Sequence, residues 1–348
     1  MATLFITGAP GWVGTRLVRA VTQGIPDLPA AATAQTGGPV RCLVLPGQDT
    51  RAIRSLGAEI CEGDLRSADQ ARAFCQGIEG ATLVHCAGLI HPRMRVRDLY
   101  EVNVEGTRNL LQAAEAAGAR RVVVLSSNSP FGANPAREHR FTEESPYHPY
   151  MNYGRSKMQM EQVVREVQSR GRLETVILRP TWFYGPDQPE RQTTFFSMIK
   201  NGSAPILGDG GNLRSMVYID NLCQAILLAA GAERAAGQAY WVADPRPYSM
   251  NEITDTVERL MEKEFGMTVA HKRLRLPAIA GDVAQVCDAL IQATGLYQQK
   301  VHVLSEMNKT IACSIEKACR ELGYAPAVEL EEGMRRSLAW CVERGIKL

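Results

Sequence analysis

The chain has 348 residues, 45% hydrophobic and 22% charged, and a net charge of +2 from 39 Lys and Arg against 37 Asp and Glu. That composition suits a soluble globular protein built as one large α/β domain, or a large domain with a smaller partner. The balanced charge makes no call for nucleic acid or an acidic membrane, and no apolar run reaches spanning length, so no membrane span is expected.

In chain order the predicted elements are a strand over 4–7, a helix over 12–23, a long surface loop over 24–39 and a strand over 40–45. There follow a helix over 50–55, a strand over 59–61, a helix over 68–76 and a strand over 82–86. A helix over 97–117, a strand over 121–126, a helix over 153–169 and a strand over 175–178 complete the alternation. Strands alternating with helices predict βαβ units and a parallel sheet covered on both faces. Right-handed crossovers make it a doubly wound Rossmann fold of α/β class. After residue 180 the alternation stops, and 250–348 read as mostly helical. The expected division is a dinucleotide-binding domain over 1–180, with 212–243 returning to it, and a smaller, mostly helical substrate domain over 181–211 and 244–348.

No secretory leader precedes the first strand, since Met1-Ala2-Thr3-Leu4-Phe5-Ile6-Thr7 runs straight into a glycine turn. The nine cysteines form no CxxC and no Cys/His metal spacing. The expectation is a cytoplasmic protein with reduced thiols and no metal. The run Arg93-Met94-Arg95-Val96-Arg97 reads as a solvated loop or helix start.

Gly8-Ala9-Pro10-Gly11-Trp12-Val13-Gly14 ends the first strand and opens the first helix. Glycines there allow a tight turn and close approach of a dinucleotide's phosphates, and the helix N-terminus faces them with N–H groups and a positive dipole end. Gly8, Pro10, Gly11, Trp12 and Val13 are the candidate contacts. No acid closes the second strand, while Arg51 and Arg54 follow it, which tilts the cofactor from NAD towards NADP. Asp49 remains available to a ribose. Asp64 and Leu65 follow the third strand. Asp64 is either a partner for the adenine amino group or the N-cap of the next helix.

Tyr153 and Lys157 are four residues apart and share one face of a predicted helix. An ammonium beside a phenol favours the phenolate, lowering the tyrosine pKa from about 10 and letting it exchange a proton with a hydroxyl or carbonyl. Ser126 and Ser127 end the fifth strand at the carboxyl edge, where such sheets place their sites. Ser127 is the better anchor for a reacting oxygen, with Ser126 the fallback.

Together these residues resemble the extended subclass of the short-chain dehydrogenase/reductase superfamily. His85-Cys86-Ala87-Gly88, Asn103-Val104-Glu105-Gly106-Thr107, Arg179-Pro180 with Tyr184-Gly185-Pro186, and Gly208-Asp209-Gly210-Gly211-Asn212 add to the match. The resemblance implies Tyr153 as acid/base, Lys157 as its partner, Ser127 as substrate anchor and Asn103 beside the site. It also implies Ala87, Gly88, Ser126 and Pro180 along the cofactor, and a homodimer. The branches most similar are the 3-beta-hydroxysteroid dehydrogenase-like and nucleotide-sugar epimerase/dehydrogenase groups. Asn128-Ser129 stands where sugar-nucleotide dehydratases carry an acidic pair, which speaks against dehydration.

The leading expectation is an NAD(P)-dependent oxidoreductase interconverting a secondary alcohol and a ketone. Its pocket would be walled by Phe131, Trp182, Phe183 and residues from His91 onwards, and suit an apolar small molecule. The alternative is a nucleotide-sugar 4-epimerase or dehydrogenase, with Arg214 gripping the diphosphate. A non-catalytic dinucleotide sensor is the third reading, opposed by the intact Tyr153/Lys157 pair.

Overall fold

Short apolar runs buried on both faces make the centre of this protein, the pattern expected of parallel strands covered by helices. In the computed structural model, which describes residues 3–26 and 28–348, seven strands form one sheet. They are β1 (Leu4–Thr7), β2 (Val40–Val44), β3 (Glu59–Glu62), β4 (Thr82–His85), β5 (Arg121–Leu125), β6 (Glu174–Pro180) and β7 (Ala239–Val242). Met1, Ala2 and Asp27, which fall in the leader reading and the long loop, lie outside the described residues. The spatial order is β3-β2-β1-β4-β5-β6-β7, and every pairing is parallel. Leu4 stands level with Val40 on one side and Thr82 on the other. The order therefore reverses at β1, and the crevice beyond β1 and β4 is where a doubly wound sheet holds its ligand.

Three helical expectations change. The predicted helix 97–117 is interrupted by a π-helical stretch, Glu101–Gly106, between Arg97–Tyr100 and Thr107–Ala116. The interruption turns Asn103 inward, where its side chain bonds the backbone of Leu89. Such insertions recur at functional sites. The helix carrying Tyr153 begins earlier than predicted and spans Met151–Ser169. The long loop contains a short helix, Ala30–Thr33, whose Ala32 is buried against the helix Ile219–Gly231.

Beyond β6 the chain builds three small two-stranded sheets. Trp182–Tyr184 pairs with Met216–Tyr218, Leu213–Arg214 with Tyr248–Ser249, and Pro205–Leu207 with Leu274–Leu276. Within 212–243 only β7 joins the main sheet. One apolar cluster runs from Leu4, Ile6 and Leu17 through Ile226 and Tyr240 to Leu260, Met334 and Leu338, so the C-terminal helices share the core of the sheet. The Asp244 carboxylate ties the two parts together. Its oxygens accept from the Tyr184 hydroxyl at 2.7 Å, the Tyr218 N–H at 2.9 Å and the Asn221 amide at 3.1 Å. Burial raises its pKa to about 7.

Candidate active site

The glycine turn closes β1 with Gly8 at φ +85°. A Cβ on Gly8 would lie 2.5 Å from the Ala87 nitrogen, and one on Gly14 would lie 2.6 Å from the Gly8 carbonyl oxygen. The turn is thus pressed against the end of β4 and against its own helix, and side chains are excluded from it. Gly11 is the N-cap of the helix Trp12–Gln23, and no side chain caps it. Gly8, Pro10 and Trp12 are half-buried and Gly11 is exposed, whereas Val13 points into the core. Trp12 packs on Phe183 with ring centroids 5.1 Å apart, and its Nε1 donates to the Pro186 carbonyl at 2.7 Å. At the end of β6, beside Pro180, the buried Thr181 hydroxyl has no hydrogen-bond partner among the described residues. An uncapped helix terminus, a side-chain-free turn and an orphaned buried hydroxyl fit the two ends of a dinucleotide.

A one-way hydrogen-bond chain fixes the floor of this cradle. The Ala87 N–H donates to Thr7 Oγ1 at 3.3 Å, and Thr7 Oγ1 meets His85 Nδ1 at 2.7 Å. His85 Nε2 meets Thr107 Oγ1 at 2.9 Å, and Thr107 donates to the Asn103 carbonyl at 2.7 Å. Thr107 has committed its proton, so Nε2 carries the imidazole hydrogen and Nδ1 accepts from Thr7. Burial, with a smaller push from Lys157, lowers the His85 pKa to about 3, so the ring is neutral. Asn103 then bridges to the tyrosine helix, its Nδ2 donating to Ser156 Oγ at 3.0 Å. Sequence reading placed no role on His85 or Ser156.

Tyr153 and Lys157 face the carboxyl end of β5. Lys157 is buried, and its Nζ donates to the Leu125 carbonyl at 2.8 Å. Burial lowers its pKa to about 8. Tyr153 is half-buried with its hydroxyl enclosed, and burial pushes its pKa up to about 12, with a hydrogen bond to Ser127 pulling back. This corrects the sequence expectation of a lowered phenol pKa. The Lys157 ammonium is spent on a main-chain carbonyl, so desolvation of the phenol wins. Ser127 lies next to Tyr153 as expected, and its Oγ also meets Ser129 Oγ at 3.3 Å. A Cβ on Gly154 would overlap the Ser129 carbonyl oxygen, so glycine is what lets the helix approach the Ser127 segment.

Other candidates lie elsewhere than expected. Ser126 turns its hydroxyl away from the cradle and donates to Glu161 Oε1 at 2.6 Å. Glu161 is fully buried and paired with Arg179 at 2.8 Å. Phe131 walls no cleft. It is 1% exposed and boxed in by Trp241, Tyr147 and Arg179, with the guanidinium 4.4 Å from its ring centre. Arg214 is enclosed, and its Nη2 donates to the Glu306 carbonyl. Burial lowers its pKa, with the Glu306 charge opposing. One end of the guanidinium is thus held by the main chain at Glu306. Asp64 is held by Arg66 in an ion pair of 2.5 Å, which keeps its pKa below the usual carboxylate range, while Ser67 caps the following helix. Leu65 is buried, with Gly106 packed on its Cβ. Gly88 is exposed beside Asn103 and Lys157. Arg51 is 91% exposed and its charge is matched by Asp49 at 2.6 Å.

The opposite wall comes from the C-terminal part. His91 Nδ1 meets the Tyr297 hydroxyl at 2.6 Å, and burial lowers the His91 pKa to about 4. Trp182 packs on Phe195. Arg191 was missed by sequence reading. It is an exposed residue whose charge acts on Tyr153 and Tyr297, and partial burial lowers its pKa. It has no hydrogen-bond or carboxylate partner among the described residues. No group of three or more His, Cys, Asp or Glu side chains among these residues is placed to hold a metal.

Comparison with known proteins gives the family and the fold. The model of the NAD dependent epimerase/dehydratase family matches residues 4–243. An uncharacterised protein, y4nL, of Sinorhizobium fredii is 54% identical over 98% of this chain and 96% of its own. A 4-hydroxy-2-methyl-3-oxo-4-farnesyl-3,4-dihydroquinoline-1-oxide ketoreductase of Stigmatella aurantiaca is 26% identical over 95% of this chain and 94% of its own. A 3beta-hydroxysteroid-dehydrogenase/decarboxylase of Arabidopsis thaliana is 28% identical over 82% of this chain and 67% of its own. Among solved structures, a dTDP-glucose 4,6-dehydratase of Streptomyces venezuelae with NAD bound superposes with a TM-score of 0.73 at 25% identity, covering 99% of this chain and 98% of that one.

Proposed function

This chain belongs to the NAD-dependent epimerase/dehydratase family, within the extended short-chain dehydrogenase/reductases, and from that premise we propose that it interconverts a secondary alcohol and a ketone. The observation that carries the proposal is the meeting of Ser127, Tyr153 and Lys157 at the end of β5, across from the glycine turn. When bound, the dinucleotide supplies or accepts the hydride. Gly8, Pro10, Gly11 and the first turn of the Trp12–Gln23 helix would hold its pyrophosphate, and Ala87, Gly88, Lys157, Pro180 and Thr181 would lie along its nicotinamide half.

The chain's own residues handle the proton. At neutral pH the Tyr153 phenol keeps its hydrogen, so in reduction Tyr153 Oη gives that proton to the substrate's carbonyl oxygen and Ser127 steadies the same oxygen. Lys157 stays largely charged at neutral pH, its ammonium anchored on the Leu125 carbonyl beside Gly88. Asn103, fixed by Leu89 and Ser156, holds the wall opposite. Two relatives with ketoreductase or hydroxysteroid dehydrogenase names support alcohol/ketone chemistry.

Arg191 favours a second reading, a nucleotide-sugar epimerase, because an unmatched guanidinium beside Tyr153 suits a phosphate or carboxylate on the substrate. Absorbance of reduced nicotinamide separates the two. A dehydrogenase given a panel of secondary alcohols and added dinucleotide accumulates the reduced cofactor. An epimerase converts its sugar with no net change in absorbance.

A further inference from the structure

The helix Ile279–Ala293 is folded inside out. Its buried residues are Gly281, Ala284, Asp288 and Gln292. Its outer face carries Ile279, Val283, Val286 and Leu290, each at least 56% exposed. Steps of four, three and four residues set them in one stripe along a helix about 22 Å long. In water such a stripe would turn inward, but polar bonds lock the other face there. Asp288 Oδ2 meets His302 Nδ1 at 2.7 Å, and Gln292 Oε1 accepts from the Asn152 side chain at 2.9 Å. Burial pushes the His302 pKa down, yet the hydrogen bond to Asp288 together with the charges of Glu306 and Asp288 outweighs it and leaves the pKa raised.

Further exposed apolar side chains lie before and after the helix in sequence. Leu274 precedes it, Leu296 and Val303 follow it, and Met94 joins them in the fold, all exposed. Met94 belongs here because its carbonyl accepts from the Tyr297 N–H at 2.9 Å and Arg95 bridges to Leu296. An exposed apolar run of this extent marks an interaction site.

Its charges choose the partner. Lys272 and Arg275 flank one end, and Arg93, Arg95, Arg97 and Lys300 flank the other, all on exposed residues. Most acids nearby are paired, and Arg273 holds both Asp255 and Glu258. Asp282 takes Lys309 at 2.6 Å, Asp288 is buried on His302, Glu101 takes Arg97 at 2.6 Å, and Glu262 takes His271 at 2.6 Å. The end at Arg93, Arg95 and Lys300 is therefore cationic, while at the other end Lys272 and Arg275 stand exposed beside the Arg273 and His271 pairs. A second copy docked here about a twofold axis would set cations against cations, whichever way the helices ran. An anionic lipid surface matches the apolar centre and the exposed basic side chains together.

We propose that this face binds the surface of an anionic bilayer, with the stripe seated at headgroup depth. The near-neutral net charge concealed this, because the arginine run at 93–97 meets the stripe only in the fold. The other side of the same helix pair carries Tyr297 and Ser305, bonded to His91 and Tyr150 in the cleft wall, so membrane surface and cleft share two helices. A dimer formed through any other face leaves the stripe open.

The test is co-sedimentation with vesicles of phosphatidylcholine alone or mixed equally with phosphatidylglycerol. The full chain is compared with a Val283→Ser/Val286→Ser/Leu290→Ser variant whose circular dichroism and melting match. An environment-sensitive maleimide on Cys287, in a Cys319→Ser background because both thiols are exposed, reports on the stripe itself. Binding to the mixed vesicles, a blue shift of the probe there, and affinity at least about tenfold lower in the variant or in high salt are expected. The proposal is overturned by failure of the parent chain to sediment with mixed vesicles, or by equal binding of the variant. A probe that shifts only with protein concentration, or with polyglutamate but not vesicles, also overturns it by pointing to a second copy or an acidic protein.

Discussion

Replacing Glu161 with Gln probes the support beneath the catalytic segment. Glu161 follows Tyr153 and Lys157 at the next four-residue step of the same helix, so all three share one face. Its Oε1 accepts from Ser126 at 2.6 Å and from Arg179 Nε at 3.2 Å. Its Oε2 accepts from Tyr147 at 2.7 Å and from Arg179 Nη2 at 2.8 Å. The amide keeps the shape but removes the charge and turns one acceptor into a donor. Arg179, 1% exposed, then keeps a buried cation with no carboxylate beside it, among the Phe131 and Trp241 rings, Tyr147 and the Glu143 carbonyl. Breaking one partner of a buried pair costs about 3–5 kcal/mol. Urea unfolding measures this directly, and a Glu161→Leu/Arg179→Met protein should recover much of the loss, because no charge is left stranded. A Glu161→Gln cost under about 1 kcal/mol, or a double variant whose losses simply add, would refute the buried-pair reasoning.

Three further outcomes are expected. Asp244 has its pKa raised from 3.8 to about 7, so the native state holds that proton more tightly than the unfolded chain. Its contribution is fully present below pH 3.8 and is lost as pH rises through about 7, by the order of a few kcal/mol, and Asp244→Asn should flatten this stretch of the stability–pH curve. Asp49→Asn frees Arg51 and should raise affinity for NADPH relative to NADH several-fold by fluorescence titration; an unchanged ratio would remove Arg51 from cofactor choice. Arg191→Gln should raise KM about tenfold or more with little change in dinucleotide affinity, and an unaltered KM would show that the guanidinium does not meet the substrate.

The doubly wound parallel sheet and the glycine turn were legible in sequence because both follow from local rules. Apolar runs of four to seven residues with helices between them admit few topologies, and Gly8 is required by a positive φ and a close neighbour. The Tyr153/Lys157 spacing was legible for the same reason. What each side chain bonds was not. Phe131 and Trp182 are both aromatic residues near strand ends, yet one is sealed beneath Arg179 while the other remains partly open, and only long-range packing separates them. The lowered phenol pKa was expected from a neighbour four residues away, but the Leu125 carbonyl claims that neighbour across the sheet. Arg191 carries no motif at all, and its reach into the cleft depends on where the Glu190–Lys200 helix docks.

The most direct test of the central claim is a Tyr153→Phe protein assayed on a substrate the parent chain turns over, beside a titration of dinucleotide binding. The phenyl ring keeps the packing and removes only the hydroxyl, with its proton and its hydrogen bond to Ser127. Turnover should fall about 10²–10⁴-fold while dinucleotide affinity changes little. Undiminished turnover in that protein, with the cofactor bound as tightly as before, would contradict a Tyr153-centred mechanism.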